Sequence, residues 1–329
     1  MEVSVETYDL REAVDQALLE CAEAGKAVAV VVADSTSTAA LKGFSERFPE
    51  RLINVGIAEQ NMVGIAAGLS LGGFTVFTAN AAPFLLSRSY EQVKNDLCYS
   101  HSNVKMLGLN AGVAYGPLGS THHILDDISM LRGLGNLQIF APSDAREAAE
   151  LVRYVCSFDG PAYIRMDKGP YPLFHSPDYR FKVGKPDPIY RSAPSTPEVV
   201  FFSLGTILEE AYSAARILSE KGIITALYSL PSIRPLQHAD LLEKIAGTRL
   251  IVTVEEHSVH GGLGALISGL IHEAGMSIPV FKVGFPEGIF VKAGPRAEIR
   301  DFYGLTGPRI VEVLEERWKE GEMNDRWNR

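Results

Sequence analysis

RFPERLINVGIAEQNMVGIAAGLSLGG, residues 47–73, carries the architecture in miniature. Leu52–Val55 is a short apolar run that reads as a strand, and Gly56 breaks it. From Glu59 onward Met62, Val63, Ile65, Ala66 and Leu69 recur at helical spacing among small residues. A strand that feeds a turn straight into a helix is half of a βαβ unit, and the same alternation spreads in both directions. Upstream, residues 11–24 show helical apolar spacing and are followed by AVAVVVAD (27–34), which reads as a buried parallel strand. Downstream, FTVFTAN (74–80), NVKMLGLN (103–110), LQIFAP (137–142) and PAYIRM (161–166) are further strands, with DAREAAELVRYV (144–155) a helix between the last two. The expected fold is α/β: two domains, each a mostly parallel sheet flanked by helices.

At residues 185–197 the sequence KPDPIYRSAPSTP has four prolines and little periodicity, which predicts an extended connector and not a packed element. Alternation then resumes: EVVFFSLG, ITALYSL, RLIVTVEE and PVFKVG read as strands, separated by the helical stretches 207–222, 239–246 and 262–275. The expected division is therefore a first domain over 1–185, a linker over 186–197 and a second domain over 198–329. The polar stretch from Trp318 to Arg329 is expected to fray beyond the last helix.

Composition narrows the function. At 329 residues the chain is comfortable as two domains, and 46% hydrophobic with 22% charged residues is ordinary for a soluble α/β protein. A net charge of −9 without a basic stripe argues against nucleic acid, and no apolar run approaches a membrane span. The three cysteines, Cys21, Cys98 and Cys156, are scattered without metal-ligand spacing and read as small core residues; with the unremarkable N-terminus they predict a reducing cytoplasm. An anionic substrate would have to be met by locally placed arginines.

Glu59, in the first turn of its helix, complements the helix dipole, and spacing alone does not separate that role from a chemical one. GIAEQ (56–60) followed by a small-residue helix resembles the transketolase and deoxyxylulose-phosphate synthase family. The resemblance covers nearly the whole chain: a pyrimidine-binding domain over 1–185 and a transketolase C-terminal domain over 198–329. It implies thiamine diphosphate with Mg2+ as cofactor, with Glu59 hydrogen-bonding the aminopyrimidine ring nitrogen and favouring its imino tautomer. That task asks the carboxyl to share a proton with a weak base, which burial against Met62, Val63 and Ile65 favours and the helix dipole partly opposes.

Other positions carry over one by one. Within FTVFTANAAPFLLSRSYEQVKND (74–96), Phe84 matches the aromatic residue that packs on the aminopyrimidine, while Ala81 stands where relatives often have a second aromatic. In VVADSTST (31–38), Asp34 matches an acidic residue near the cofactor and Thr38 a hydroxyl near substrate phosphate. Arg11 and Arg165 match phosphate-binding arginines, whose forked donors suit that anion; a solvated surface arginine is the plain alternative. LGLNAGVAYGPLGSTHHILDD (107–127) resembles the substrate loop, with His122 matching a histidine that bonds substrate hydroxyls or relays protons. Leu118 stands where the family has an aspartate reading a sugar hydroxyl, and Asn110 where transketolases have a phosphate-contacting histidine. Ordinary pentose phosphates are therefore expected to be poor substrates, and a ketose deoxygenated, branched or inverted near that carbon a better one. His123 has no family counterpart. His257 and His260, in VTVEEHSVHGGLGALI (252–267), are expected to be structural.

No Gly-Asp-Gly tripeptide occurs in the sequence, although the metal–diphosphate site of the family needs one. Metal ligands are accordingly expected on a partner, an N-terminal transketolase subunit carrying that motif, in an α2β2 heterotetramer. The implied activity is transfer of a two-carbon ketol unit from a phosphoketose to an aldehyde. The alternatives are the β subunit of a 2-oxo acid dehydrogenase E1 component, a deoxyxylulose-phosphate-synthase-like carboligase, and a non-catalytic scaffold that kept the fold; Glu59 and Phe84 argue against the last.

Overall fold

A computed structural model describes residues 6–286 and 291–319. The described chain begins with β1 (Thr7–Asp9) and the helix Leu10–Glu23, capped by the Asp9 side chain. There follow β2 (Val28–Val32), β3 (Leu52–Asn54), β4 (Thr75–Ala81), β5 (Val104–Leu109), β6 (Gln138–Phe140) and β7 (Ala162–Arg165). These six strands are mutually parallel in the spatial order β6-β7-β5-β4-β2-β3. Every residue of β2 and β5 is buried, as continuous apolar runs covered on both faces should be. Short β8 (Pro170–Pro172) returns antiparallel against β1 and closes a two-stranded ribbon beneath the first helix.

The second half contributes β9 (Asp187–Arg191), β10 (Val199–Leu204), β11 (Thr225–Ser229), β12 (Ser232–Arg234), β13 (Leu250–Ser258) and β14 (Val280–Phe285). Its five-stranded sheet runs β14-β13-β10-β11-β9, parallel except for β9. Two features depart from the sequence reading. Residues 187–191, expected as unpacked linker, are extended but hydrogen-bond antiparallel to β11; Pro188 is tolerated because the strand is an edge. And β12, from the second half, crosses back to pair antiparallel with β6, lengthening the first sheet to seven strands. Otherwise the fold is the expected α/β arrangement of two mostly parallel, helix-flanked sheets. The predicted fraying beyond residue 319 lies outside the described residues.

All nine residues of β13 are buried, although its last four, Glu255–Ser258, are polar. Buried polar groups need partners. Glu255 accepts from the Leu263 and Gly264 amides at 2.6 and 2.8 Å, capping the helix Leu263–Glu273. Glu256 reaches into the first half and meets the loop that follows β5, so the second sheet supports the segment that carries residues 110–122.

Candidate active site

Open parallel sheets place their ligand-binding loops beyond the carboxyl ends of the strands, and the site candidates gather there on four adjacent strands. Asp34 and Thr38 follow β2, Glu59 follows β3, Phe84 follows β4, and Asn110 to His122 follow β5. Glu59 is the first residue of the helix Glu59–Leu71, whose cap, Ala58, offers no side-chain acceptor. Its carboxylate is 3% exposed. Asn80, at the end of β4, donates to one oxygen at 3.1 Å, and Arg88 donates to the other at 2.5 Å.

Arg88 and Asn80 are the residues that sequence reading missed. Phe84–Arg88 and Val93–Tyr99 form π-helical turns, the wide geometry that recurs at functional sites. That turn puts the Arg88 guanidinium 4.8 Å from the centre of the Phe84 ring while it also grips Glu59. The imidazole of His122 packs edge-on against Phe84 at 5.2 Å and against Tyr115 at 5.4 Å. Its Nδ1 lies 3.0 Å from the Thr121 hydroxyl. Glu59, Phe84 and His122 are thus brought together, with Arg88 bridging the first two.

The loop bearing His122 is built by the second half of the chain. Glu256 accepts from the Val113 amide at 2.8 Å, and a Cβ on Gly112 would lie 2.3 Å from the same carboxylate oxygen. Gly112 also has φ +63, so glycine is required there twice over. Ser120 is tied to the Val291 backbone. Burial alone would raise the Glu256 carboxyl, yet Arg296 and Arg300 overturn that and hold it at about 2. The His123 ring is buried, bonds the Gly116 carbonyl at 3.0 Å, and is pushed below its ordinary value by that burial.

The two arginines expected to meet phosphate are committed elsewhere. Arg11 holds the Asp9 carboxylate at 2.9 and 2.5 Å and donates to the Thr38 carbonyl at 2.9 Å, so it shapes the Asp34–Thr38 loop. Arg165 is 6% exposed, with Nε on Asp127 at 2.8 Å and Nη2 on the Glu256 carbonyl at 2.8 Å. With Nε and Nη2 on buried acceptors, Arg165 joins the first sheet to the second. Asp34 is exposed at φ +55, and its amide bonds the Asn54 side chain. Leu118 is exposed on the short 3-10 turn Gly116–Thr121. Asn110 is wholly buried, at φ +54, and neither atom of its amide has a partner. Among the described residues no helix is long and apolar enough to cross a membrane, and the three cysteines are buried free thiols.

The donor set suits one part of a thiamine cofactor. A buried carboxylate with two partners among the described residues, next to a half-buried aromatic ring, matches a flat nitrogen heterocycle that needs one strong hydrogen bond and one stacking face. Comparison with known proteins agrees in kind. Residues 6–172 match the family described as transketolase, pyrimidine binding domain, and residues 191–310 that described as transketolase, C-terminal domain. An apulose-4-phosphate transketolase subunit of Actinobacillus succinogenes is 44% identical over 86% of this chain and 90% of its own. The apulose-4-phosphate transketolase subunit of the same kind from Phocaeicola vulgatus is 37% identical over 90% and 93%. A solved split-gene transketolase, described as an inactive beta4 tetramer, superposes with a TM-score of 0.83 at 33% identity, covering 94% of this chain and 97% of that one.

Proposed function

Because the chain belongs to the transketolase family, we propose that it is the pyrimidine-binding subunit of a split transketolase, active only with a partner that supplies the metal–diphosphate loop. The observation that carries this reading is the buried Glu59 carboxylate beside Phe84, with no Gly-Asp-Gly motif anywhere in the sequence. Thiamine diphosphate, bound with Mg2+ between the two subunits, would supply the carbon nucleophile that takes the two-carbon ketol unit from the donor sugar.

Glu59 would share a proton with the aminopyrimidine ring nitrogen when the cofactor is bound, and its burial would keep water from competing for that hydrogen bond. Phe84 would offer the ring a packing face. Asn80 fixes one Glu59 oxygen, so the carboxyl presents the other. In the lone chain that second oxygen is held by Arg88, which also covers Phe84. Arg88 therefore occupies the ground the aminopyrimidine needs, and its exposed side chain has room to withdraw as the partner delivers the cofactor. His122, placed against Phe84 and Tyr115, bonds a donor-sugar hydroxyl or relays its proton. Asp34 and Thr38 line the mouth of the site from the neighbouring strand. Arg11 and Arg165 position the Thr38 loop and the sheet junction, so phosphate recognition passes to other cations, including those of the partner.

The two relatives named for apulose 4-phosphate favour that phosphoketose as donor, and Leu118 in place of an acidic residue fits a donor unlike the ordinary pentose phosphates. The arrangement expected is a cytoplasmic α2β2 heterotetramer. Mixing the chain with a partner that carries the Gly-Asp-Gly motif, thiamine diphosphate and Mg2+ should give ketol transfer from apulose 4-phosphate to an aldehyde acceptor. Oxidative decarboxylation of a 2-oxo acid by the mixture, or no transfer from any phosphoketose, would overturn the reading.

A further inference from the structure

On the far side of the first sheet's helix Ala145–Val155, three side chains from separate elements converge: Glu147 on that helix, His175 after β8 and Asp187 at the start of β9. One ligand atom from each lies within 4.8 Å of the others, and all three residues are more than nine-tenths buried. An acidic cluster alone proves little. The imidazole makes the difference, because its Nε2 is buried without a hydrogen-bond partner. The other nitrogen, Nδ1, is held by Asp144 at 2.8 Å, and Asp144 is itself fixed by the Phe174 and His175 amides at 2.8 and 3.0 Å. A carboxylate that orients a histidine so that its free nitrogen faces other oxygen ligands is the usual outer-shell support of a metal-ligating imidazole.

Glu147 is divided in the same manner. Its Oε2 accepts from the Ser143 amide and hydroxyl at 2.6 and 2.7 Å, while Oε1 faces His175 Nε2 at 3.5 Å and has no closer donor. That separation is long for a hydrogen bond, yet ligands about 2.1 Å from a tetrahedral ion sit roughly 3.4 Å apart. Asp187 completes the set, its Oδ2 accepting from the Tyr179 hydroxyl at 2.5 Å. Tyr179 packs at a tilt against His175 with ring centres 4.1 Å apart and also lines a surface cleft of about 680 Å³. Three buried carboxylates crowd one imidazole here.

We propose that Glu147, His175 and Asp187 bind one divalent transition metal, Zn2+ or Mn2+, as a structural clip. One imidazole with two carboxylates suits either ion. The clip joins the first sheet's outer helix to the segment after β8 and to the edge strand of the second sheet.

The test uses the untagged full chain, stripped with a chelator, and ZnCl2 or MnCl2 alone as probe. Calorimetry should show one equivalent bound per chain, with the thermal midpoint rising by a few degrees at saturation. His175→Gln and Asp187→Asn should each weaken binding more than tenfold. Asp144→Asn, which only orients the imidazole, should weaken it ten- to a hundredfold. Circular dichroism checks that each variant is folded, and wild-type stoichiometry stands independently of them. Absence of uptake of either ion by the wild-type chain at about 100 µM would overturn the proposal, as would one-equivalent uptake unchanged in both ligand variants.

Discussion

Glu59 accepts one amide and one guanidinium whose side chain is 47% exposed, at the edge where four strand ends open outward. Glu256 lies at the junction of the sheets, where Arg296 at 2.9 Å, Arg300 at 2.6 Å and the Val113 amide at 2.8 Å surround it, with both arginines bound to further carboxylates. Both are buried acids beside arginine. The second is enclosed by groups that are themselves buried and shared with other carboxylates, so removing its charge unbalances a buried network. The first is held by a single half-exposed cation that solvent can receive. A carboxyl meant to exchange one partner for another needs that looseness, and one meant to hold a loop in place needs its absence.

Substitution should expose the contrast. Glu59→Gln keeps the shape of the side chain and its contact with Asn80 but removes the exchangeable proton. Transfer by the reconstituted enzyme should fall by about two to four orders of magnitude, while the urea midpoint of the chain stays near wild type. Near-normal turnover would remove Glu59 from the chemistry. Glu256→Gln should do the reverse, costing about 3 kcal/mol in equilibrium unfolding and reducing activity only in step with the folded fraction. Equal losses of stability in the two variants would erase the distinction drawn here.

Acid should separate them as well. The folded Glu256 carboxyl sits at about 2, below its ordinary 4.5, so its stabilisation is fully present above that ordinary value. It is lost as pH falls from about 4.5 towards 2. Wild type should lose stability more steeply than Glu256→Gln through that window when both are followed by denaturant midpoints. Parallel curves would mean that the Arg296 and Arg300 pairs contribute nothing to folding.

A smaller effect is expected from Leu118→Asp, which restores an acidic acceptor on the exposed turn before His122. Its benefit for xylulose 5-phosphate should be on the order of 1–3 kcal/mol in kcat/KM. If the reconstituted wild type already uses that sugar well and the variant changes nothing, Leu118 does not face the substrate.

How much of this could be read from the sequence follows from the range of each interaction. Strands such as 28–32 and 199–204, and helices such as 59–71 and 145–155, announce themselves by local periodicity. Glu59, Phe84 and His122 sit inside short motifs, and their convergence follows from adjacent parallel strands. Arg88 is hidden because its partner lies 29 positions away and nothing in FLLSR signals a π-helical turn. Arg11 and Arg165 have the right residue type for phosphate, but the Thr38 carbonyl, Asp127 and the Glu256 carbonyl that hold them are brought in by tertiary packing, with only Asp9 a near neighbour of Arg11 in sequence. The same limit conceals β12 joining the other half's sheet, and the cluster at positions 147, 175 and 187, whose spacing follows no ligand pattern.

The central claim is that this chain carries the pyrimidine half of a shared cofactor site, and calorimetry with thiamine diphosphate and Mg2+ tests it most directly. The chain alone, with Arg88 on Glu59 and no diphosphate loop, should show no binding in the micromolar range. Adding the partner that carries the Gly-Asp-Gly motif should create a micromolar-or-better site. Micromolar binding to the lone chain, or none to the mixture, would contradict the account.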